Sequence, residues 1–390
     1  MFDIDDPRLA AVAWSRLVEP GDLVAGALVS ALGSSEALRW LFEYRSAGLA
    51  PAVPVTAAPV SASLERLQSA AAGWLIRLDG LDPARDISNG ERVGARLLLP
   101  DEPHWPIRFK DLGAGQPFAL WVRGDMEFAA RTDRSVALVG ARAATNYGER
   151  VTADIAAGLV ERDFAVISGG AYGIDAAAHR ATLTVSGFTV AFLACGIDQM
   201  YPPGNTALLR AVVDAGALVT ESPPGAIPYR NRFLARNRLI AALAGATVVV
   251  EAAWRSGALS TARHAAALLR PVGAVPGPVT SMASGGCHQL IRDGVATLVT
   301  DAAEVAELAG ATGSDAAATP VGRVELSDGL AVDQKRVFDA LSARQYLGPV
   351  ELTRRVALPL PDVLSALGIL EIRGLAKSNG TAWRRAGEAR

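Results

Sequence analysis

From residue 136 onward, short apolar runs alternate with amphipathic stretches. Runs rich in Val, Ile and Ala are typical of strands buried on both faces, and the stretches between them have helical spacing. In residues 148–162, for example, Val151, Ile155 and Leu159 fall on one helix face. The pattern predicts a parallel sheet with helices on both faces, a Rossmann-like core of the α/β class. The predicted strands are 136–140, 165–168, 189–194, 217–220, 247–251 and 272–275.

The beginning of the chain predicts a small helical domain over residues 1–72, followed by the sheet domain over 73–309. Apolar residues recur there at helical spacing, namely Leu9, Val12, Ala13 and Leu17, then Leu28, Ala31 and Leu32. Residues 50–63 are rich in Pro and Ala, which predicts a linker or a connection between helices.

The end of the chain predicts a flexible linker and a third domain. Residues 310–319 contain only Gly, Ala, Ser, Thr and Asp, so we expect a linker over 310–322 and a domain over 323–390. Apolar spacing there predicts three short helices, the third beginning near Pro361. Residues 371–373 and 381–385 are predicted as two strands. Three helices followed by a hairpin indicate a winged-helix domain.

Composition narrows the possible functions. The 390 residues carry 38 Lys and Arg against 40 Asp and Glu, a net charge of −2, so a nucleic-acid binder must concentrate its cations locally. Cys195 and Cys287 lie far apart, without Cys or His at metal-ligand spacing, so we expect no metal and no cofactor. The acidic N-terminus lacks the order of a signal peptide, and the apolar run at 239–250 is too short to span a bilayer. We therefore expect a cytoplasmic protein with no membrane partner.

Ligands of open parallel sheets bind beyond the carboxyl ends of the strands, so the loops there carry the chemistry. The first predicted strand leads into Gly140-Ala141-Arg142. A dinucleotide fold requires a second glycine at position 142, where an arginine crowds a pyrophosphate. Its planar guanidinium could instead grip a phosphate, or simply end the strand and pair with a carboxylate.

A second loop, Ser168-Gly169-Gly170-Ala171, has its glycines between a strand and a helix. Backbone N–H groups exposed near a helix N-terminus suit a phosphate. The alternative is a turn whose glycines serve close packing alone. We expect Asp175 to cap the helix or to hold the loop through backbone N–H groups, and His179 to be a packed histidine.

Residues 228–238 hold four arginines, two asparagines and two aromatics. Cations bind phosphates and aromatics stack on bases, which is the combination that single strands require. The alternative is a solvated basic loop around a buried Phe233. Glu221 and Glu251 end two predicted strands, and we expect either of them to orient these arginines; acid–base catalysis is the other possibility, but no nucleophile accompanies them. Ser256 and Gly257 precede another helix, where helix capping alone also explains a serine.

Together these segments resemble the DprA (Smf) family of DNA-processing proteins over about residues 104–301. The matching segments are Val139-Gly140-Ala141-Arg142, Ser168-Gly169-Gly170-Ala171-Tyr172-Gly173-Ile174-Asp175, Gly196-Ile197-Asp198, Tyr201-Pro202-Pro203-Gly204-Asn205, Glu221-Ser222-Pro223-Pro224-Gly225, Phe233-Leu234-Ala235-Arg236-Asn237-Arg238 and Val275-Pro276-Gly277. Any one of them is weakly specific, whereas their order and spacing are specific as a set.

The resemblance implies a protein that binds single-stranded DNA on the Rossmann-like domain, forms a homodimer through it and helps to load the RecA recombinase during transformation. It implies no catalytic residues. It also implies a helical N-terminal domain of the sterile-alpha-motif or helix-hairpin-helix kind. The implied DNA contacts are Gly140, Arg142, Ser168, Gly169, Gly170, Ala171, Arg230, Phe233, Arg236, Asn237, Arg238, Ser256 and Gly257.

The sequence departs from the family pattern in three places. Ala141 replaces a serine, which loses a hydroxyl, and Leu234 replaces a proline. Gly285-Gly286-Cys287-His288 stands where the family has roughly Arg/Lys-Gly-Thr-Asn. That change removes a cation and an amide from the predicted rim of the pocket.

Three other functions compete with DNA binding. A nucleotide hydrolase of the lysine-decarboxylase-like type would use Glu251, but its Pro-Gly-Gly-x-Gly-Thr segment is missing. A nicotinamide dehydrogenase is disfavoured by Arg142 and by the lack of a ribose-binding acid after the second strand. A protein adaptor that uses only the winged helix would leave the arginine cluster unexplained.

Overall fold

The computed structural model describes residues 2–47, 64–311, 313–318 and 327–386. The chain forms two compact units, Met1–Ala317 and Ala318–Arg390. The whole of the predicted connection at 50–63 and part of the predicted linker at 310–322 lie outside the described residues.

A nine-stranded sheet forms the centre of the first unit. In the described residues its strands are β1 (Arg96–Leu98), β2 (Leu120–Gly124), β3 (Ser135–Val139), β4 (Ala165–Ser168), β5 (Thr189–Phe192), β6 (Ala217–Thr220), β7 (Ala246–Val249), β8 (Val272–Ala274) and β9 (Thr297–Leu298). Their spatial order is β1-β2-β6-β5-β4-β3-β7-β8-β9. The seven strands from β3 to β9 run parallel. The Rossmann-like α/β core is therefore confirmed, with the six predicted strands placed to within about two residues.

The sequence did not predict the edges of the sheet. At one edge, β2 runs antiparallel to β6, with Trp121 opposite Thr220, and β1 runs antiparallel to β2. At the other edge lies the two-residue strand β9. Hydrophobic patterning identifies buried strands but carries no information on the direction in which a neighbour runs.

Helices cover both faces of the sheet because successive strand residues point to opposite sides. The helices in this part of the chain are α6 (Phe128–Arg131), α7 (Asn146–Val160), α8 (Ile174–Thr184), α9 (Thr206–Ala215), α10 (Arg230–Leu243), α11 (Ala258–Ala267), α12 (Gly285–Arg292) and α13 (Ala302–Ala309). In β3, Leu138 joins the cluster that contains Ile155 of α7, whereas Val139 joins the one that contains Leu259 of α11.

Where the structure describes the chain ahead of the sheet, residues 2–47 and 64–95, it contains the helices α1 (Pro7–Leu17), α2 (Leu23–Leu32), α3 (Ser34–Ala47), α4 (Leu64–Leu75) and α5 (Pro83–Arg92). Their core centres on Trp14, whose ring packs edge-on against Trp74 at a centroid distance of 5.4 Å. The Trp14 indole N–H donates to the carbonyl oxygen of Ser34 at 3.0 Å. These helices lie in the same compact unit as the sheet, and their separation as a domain of residues 1–72 stays a prediction.

The predicted linker is anchored at its beginning. The Asp315 carboxylate pairs with Arg134 at 2.9 Å and accepts from the backbone N–H of Ala311 at 2.8 Å. The Arg134 guanidinium lowers the pKa of Asp315 to about 2. Asp315 is thus tied to Arg134 and Ala311 within the first unit, and the flexible linker over 310–322 stays a prediction.

The second unit contains α14 (Val332–Ala340), α15 (Pro349–Val356), α16 (Leu360–Ile372) and the antiparallel pair β10 (Ala376–Ser378) and β11 (Trp383–Arg385). The predicted order of three helices and a hairpin is observed. The strand predicted at 371–373 is wrong, because α16 continues to Ile372 and the first strand begins four residues later at Ala376. Among the described residues, no helix combines the length and hydropathy needed to cross a membrane.

Candidate nucleic-acid interface

The order of strands reverses beside β3. From β3 the chain adds β4, β5 and β6 on one side, and then returns to place β7 on the other side of β3. The loops that follow β3 and β7 lead to α7 and α11, which pack on opposite faces of the sheet. This divergence opens a crevice at the carboxyl ends of the strands, the position at which open α/β sheets bind ligands.

Arg142 and Phe233 meet at this crevice. The guanidinium carbon Cζ of Arg142 lies 4.6 Å from the centroid of the Phe233 ring, and the Tyr201 ring lies 5.9 Å from the same ring. Arg142 is exposed and, within the described part of the chain, forms no ion pair. The alternative in which it pairs with a carboxylate is therefore not what the structure contains.

Glu251 holds the loop that carries Arg142 in place through hydrogen bonds to Thr145. One carboxylate oxygen of Glu251 accepts from the Thr145 backbone N–H at 2.9 Å, and the other accepts from its hydroxyl at 2.5 Å. The same hydroxyl caps α7 by accepting from Gly148 at 3.1 Å. The expectation that Glu251 orients the arginines is wrong, since both of its oxygens hold this loop.

Gly140 has a packing role at the start of the same loop. A Cβ at this position would lie 2.5 Å from Cγ1 of Ile174 and 2.9 Å from the backbone oxygen of Glu251. The glycine therefore allows the end of β3 to approach both the helix α8 and the backbone of Glu251, two residues beyond the end of β7.

The glycine-rich loop after β4 donates a backbone hydrogen bond to a carboxylate of the protein itself, that of Asp175. Asp175 accepts from the backbone N–H of Gly169 at 3.1 Å, and burial raises the pKa of this carboxyl. The Ser168 hydroxyl donates to the carbonyl oxygen of Leu138 at 2.7 Å. Asp175 thus holds the loop as predicted. Ser168 and Gly169 are both buried and engaged inside the protein, and their contacts with a phosphate stay a prediction.

The far side of that loop is held by Asn205, in the 3₁₀ turn Pro203–Asn205. Its side-chain amide donates to the carbonyl oxygens of Gly170 and Ala171, each at 3.0 Å. Gly170 is buried with a φ of +67°, and Ala171 is partly exposed. Of the four predicted loop residues, Ala171 alone retains access to solvent.

Arg236 supports this loop instead of reaching the surface. It is 5% exposed, and its Nη1 donates to the carbonyl oxygens of Gly169, at 2.7 Å, and of Phe192. Burial lowers the pKa of Arg236 to about 10, an effect that Asp175 opposes. Its guanidinium is enclosed by the residues that shape the crevice, so Arg236 acts as a positioning residue in this structure. Its contact with a phosphate stays a prediction.

Arg238 is committed to a buried ion pair. Two of its nitrogens each lie 2.5 Å from a carboxylate oxygen of Glu221, and its Nε donates to the carbonyl oxygen of Gly115 at 2.9 Å. The expectation that Glu221 orients an arginine is confirmed. Arg238 is only 6% exposed, and its contact with DNA stays a prediction.

The two remaining arginines of residues 228–238 differ in their exposure and in whether they form an ion pair. Arg232 donates to both carboxylate oxygens of Glu19, at 3.0 and 3.2 Å, and so joins α10 to the N-terminal helices. Arg230, the first residue of α10, is exposed and has no ion-pair partner in the described residues. With Arg142, Tyr201 and Phe233 it forms what we call the arginine–aromatic surface.

Asn237, Ser256 and Gly257 connect α10 to the loop after β7. The Asn237 amide donates to the carbonyl oxygen of Gly257 at 3.2 Å, and the Ser256 hydroxyl accepts from Ala258 at 3.3 Å, at the start of α11. Ser256 thus contacts the first residue of α11, although Gly257 is the residue at the N-cap position, and one amide hydrogen of Asn237 is used inside the protein. These contacts fix the loop beside the arginine–aromatic surface.

The segment that departs from the family pattern begins α12. Burial raises the pKa of the Cys287 thiol to about 12, and the His288 Nε2 lies 3.0 Å from the carbonyl oxygen of Gly277. A Cβ at Gly285 would lie 2.7 Å from Nε1 of Trp254. The sequence analysis assigned no role to Trp254 or to Tyr201. Trp254 stands beside Arg255, the combination of aromatic and cation that singled out Phe233, whereas Tyr201 has no cation near it in the sequence.

Comparison with known proteins places the site in a family. The family model described as DNA recombination-mediator protein A matches residues 96–310, more than half of the chain. The chain belongs to this family. The matched residues include the whole arginine–aromatic surface, so the resemblance inferred from the sequence is confirmed.

Members of the DNA recombination-mediator protein A family, the DprA proteins, match over much of the chain. The putative DNA processing protein DprA of Mycobacterium tuberculosis is 48% identical over 311 residues, which are 77% of this chain and 79% of that protein. Protein Smf of Escherichia coli is 41% identical over 218 residues, 56% of this chain and 57% of its own. The X-ray structure of DprA from Streptococcus pneumoniae superposes with a TM-score of 0.56 at 29% identity, covering 69% of this chain and 90% of that one.

Proposed function

We propose that the chain binds single-stranded DNA, without preference for base sequence, across the arginine–aromatic surface. The observation that carries the proposal is the stacking of the unpaired Arg142 guanidinium over Phe233 at 4.6 Å. A cation of this kind can contact a phosphate while the neighbouring rings stack on bases. Stacking and phosphate contacts distinguish little between bases, so binding is expected to depend on the strand and not on its sequence.

Single strands fit this surface better than the rival ligands do. Base faces are accessible to Phe233 and Tyr201 only when the strand is unpaired. A hydrolase that uses Glu251 would need a free carboxylate, whereas both oxygens of Glu251 are engaged by Thr145. We therefore propose a binding protein and not an enzyme. Purified protein incubated with nucleoside monophosphates should release no free base.

The proposal extends to partners by family membership. We propose that the chain acts in the cytoplasm, protects single-stranded DNA and promotes RecA loading in recombination or transformation. We also propose a homodimer through the Rossmann-like domain. The exposed edge strand β9 supports this, because an open edge offers unpaired backbone groups to a second copy. For the second unit we propose a winged-helix domain, supported by its order of three helices and a hairpin.

The decisive experiment is a titration of oligo-dT and of duplex DNA of equal length. We expect tighter binding of the single strand. Arg142→Ala and Arg230→Ala should each weaken that binding by roughly 1–3 kcal/mol, the loss expected for a hydrogen bond to a charged group. Phe233→Ala should weaken it by a similar amount, because base stacking on an aromatic contributes roughly 1–3 kcal/mol.

Arg180→Ala is the matched control, since Arg180 is an exposed arginine in the interior of α8 without an ion pair in the described residues. It should bind as the unmodified protein does. If Arg142→Ala and Arg230→Ala also bind like the unmodified protein, DNA binds elsewhere on the chain and the proposal fails.

A further inference from the structure

Trp254 is a large exposed aromatic at the same edge of the sheet. It lies in the loop between β7 and α11, residues 253–257, which we call the Trp254 loop. Its side chain is 59% exposed, although burial of an indole is strongly favourable. Its Nε1 lies above Gly285, where a Cβ would approach to 2.7 Å. The indole therefore occupies the space that any larger residue at position 285 would take.

Hydrogen bonds hold the base of this loop in place. The backbone N–H of Ala252 donates to Ala283 at 2.7 Å, and Gly286 donates to Ala252 at 2.6 Å. On the opposite side, Asn237 of α10 donates to Gly257 at 3.2 Å. The exposed indole is therefore carried by a fixed support, which joins the start of α12 to the helix that carries Phe233.

Arg255 gives the loop a cation. It is exposed, and no acidic side chain pairs with it in the part of the chain that the structure describes. Trp254 and Arg255 thus resemble Phe233 and Arg142 in pairing an aromatic ring with an unpaired guanidinium, with the difference that Trp254 is exposed whereas Phe233 is half-buried. Arg142 lies in the loop after β3 and Arg255 in the loop after β7, two strands that are neighbours in the sheet. Phe233 lies on α10, the helix that Asn237 connects to the Trp254 loop.

We propose that Trp254 and Arg255 form a second nucleotide subsite, which extends the path of the single strand from Phe233 toward the start of α12. The indole stacks on one base and the guanidinium contacts a phosphate. Gly285 is the enabling residue, because only a residue without a side chain leaves room for the indole. The cation missing from the 285–288 segment is supplied here by Arg255. This inference rests on the proposed function.

The test is the dependence of affinity on strand length. Oligo-dT from four to twenty nucleotides is titrated against the full chain. We expect the affinity of the unmodified protein to rise until the strand spans both subsites. Trp254→Ala should remove this rise, lowering affinity for the long strands about tenfold, the equivalent of losing one stacked base. Trp254→Phe should retain most of the rise.

Gly285→Ala provides an independent variant that leaves Trp254 in the chain. Gly285 begins a helix at a φ of −59°, so alanine fits its backbone and only the indole must move. This variant should reproduce the loss seen with Trp254→Ala. Ile76→Ala is the control for removing an exposed apolar side chain, since Ile76 is 80% exposed among the N-terminal helices, and it should change nothing.

The outcomes separate this inference from the proposed function. If Arg142→Ala weakens binding at every length while Trp254→Ala binds all strands normally, the second subsite is refuted and the proposed function stands. An equal loss at all lengths for Trp254→Ala also refutes it, because the indole would then belong to the first subsite. If Arg142→Ala binds normally, the proposed surface is wrong, and a subsite that extends it falls with it.

Discussion

Arg236 donates a hydrogen bond of 2.7 Å to the carbonyl oxygen of Gly169 from inside the protein. A Cβ on Gly169 would lie 2.5 Å from the same nitrogen, Nη1, so the glycine is required for this approach. The buried arginine and Asp175, which accepts from the backbone N–H of the same glycine, together fix the loop after β4. Residues 228–238, the segment that contains Arg236, therefore contribute to the site partly by fixing the conformation of the loop after β4.

Arg236→Met should destabilise the protein strongly. The substitution leaves the carbonyl oxygens of Gly169 and Phe192 without their donor, and each buried acceptor left unpaired costs about 1–3 kcal/mol. Urea unfolding monitored by circular dichroism measures the change. Arg180→Met, in which an exposed arginine is replaced, should change the free energy of unfolding by less than about 0.5 kcal/mol. Equal stability of the two variants would show that Arg236 is not a structural residue.

The pair Arg238 and Glu221 should show strong coupling in a double-mutant cycle. Either Arg238→Met or Glu221→Gln alone leaves a buried group without its partner, at a cost of about 3–5 kcal/mol. The double variant should lose less than the sum of the two, because it leaves no uncompensated charge. Additive losses in urea unfolding would mean that the two side chains do not stabilise each other.

The sequence predicted those elements whose burial gives a recognisable pattern of apolar residues. The strands β3 and β4 were predictable because they are continuous apolar runs. Which arginines of residues 228–238 are buried and which are exposed could not be predicted. From Arg236 onward α10 is buried on all sides and therefore has no polar face. A helix of that kind has no periodicity that separates buried cations from exposed ones. Only the three-dimensional contacts distinguish Arg230 from Arg236.

The salt dependence of DNA binding should report how many cations contact phosphate. For single strands, the logarithm of the binding constant falls with the logarithm of salt concentration by roughly 0.7 per phosphate neutralised. Arg142→Ala should reduce this slope by about that amount, whereas Phe233→Ala should lower affinity and leave the slope unchanged. Titrations at four salt concentrations measure both. A slope unaltered in Arg142→Ala would exclude a phosphate contact.

His179 is a buried group that should make the protein sensitive to acid. The sequence predicted a packed histidine, and its Nδ1 does lie 2.7 Å from the Thr189 hydroxyl. That hydroxyl donates to the carbonyl oxygen of Val166 at 2.8 Å, so it accepts from Nδ1. The other ring nitrogen, Nε2, is buried and has no hydrogen-bond partner among the described residues. A proton added there would be a charge without solvation, and burial accordingly lowers the pKa of His179 to about 3.

The direction in which stability changes with pH depends on whether the folded or the unfolded protein binds the proton at His179. Between pH 6.5 and the folded-state pKa of about 3, the unfolded chain binds a proton at His179 and the folded protein does not. Stability should therefore fall as the pH drops below 6.5, by about 2 kcal/mol at pH 5 for this residue. His179→Gln cannot take up the proton, so its urea unfolding free energy should change less between pH 7 and pH 5. If both proteins lose the same stability, His179 is protonated in the folded state and the assigned pKa is wrong.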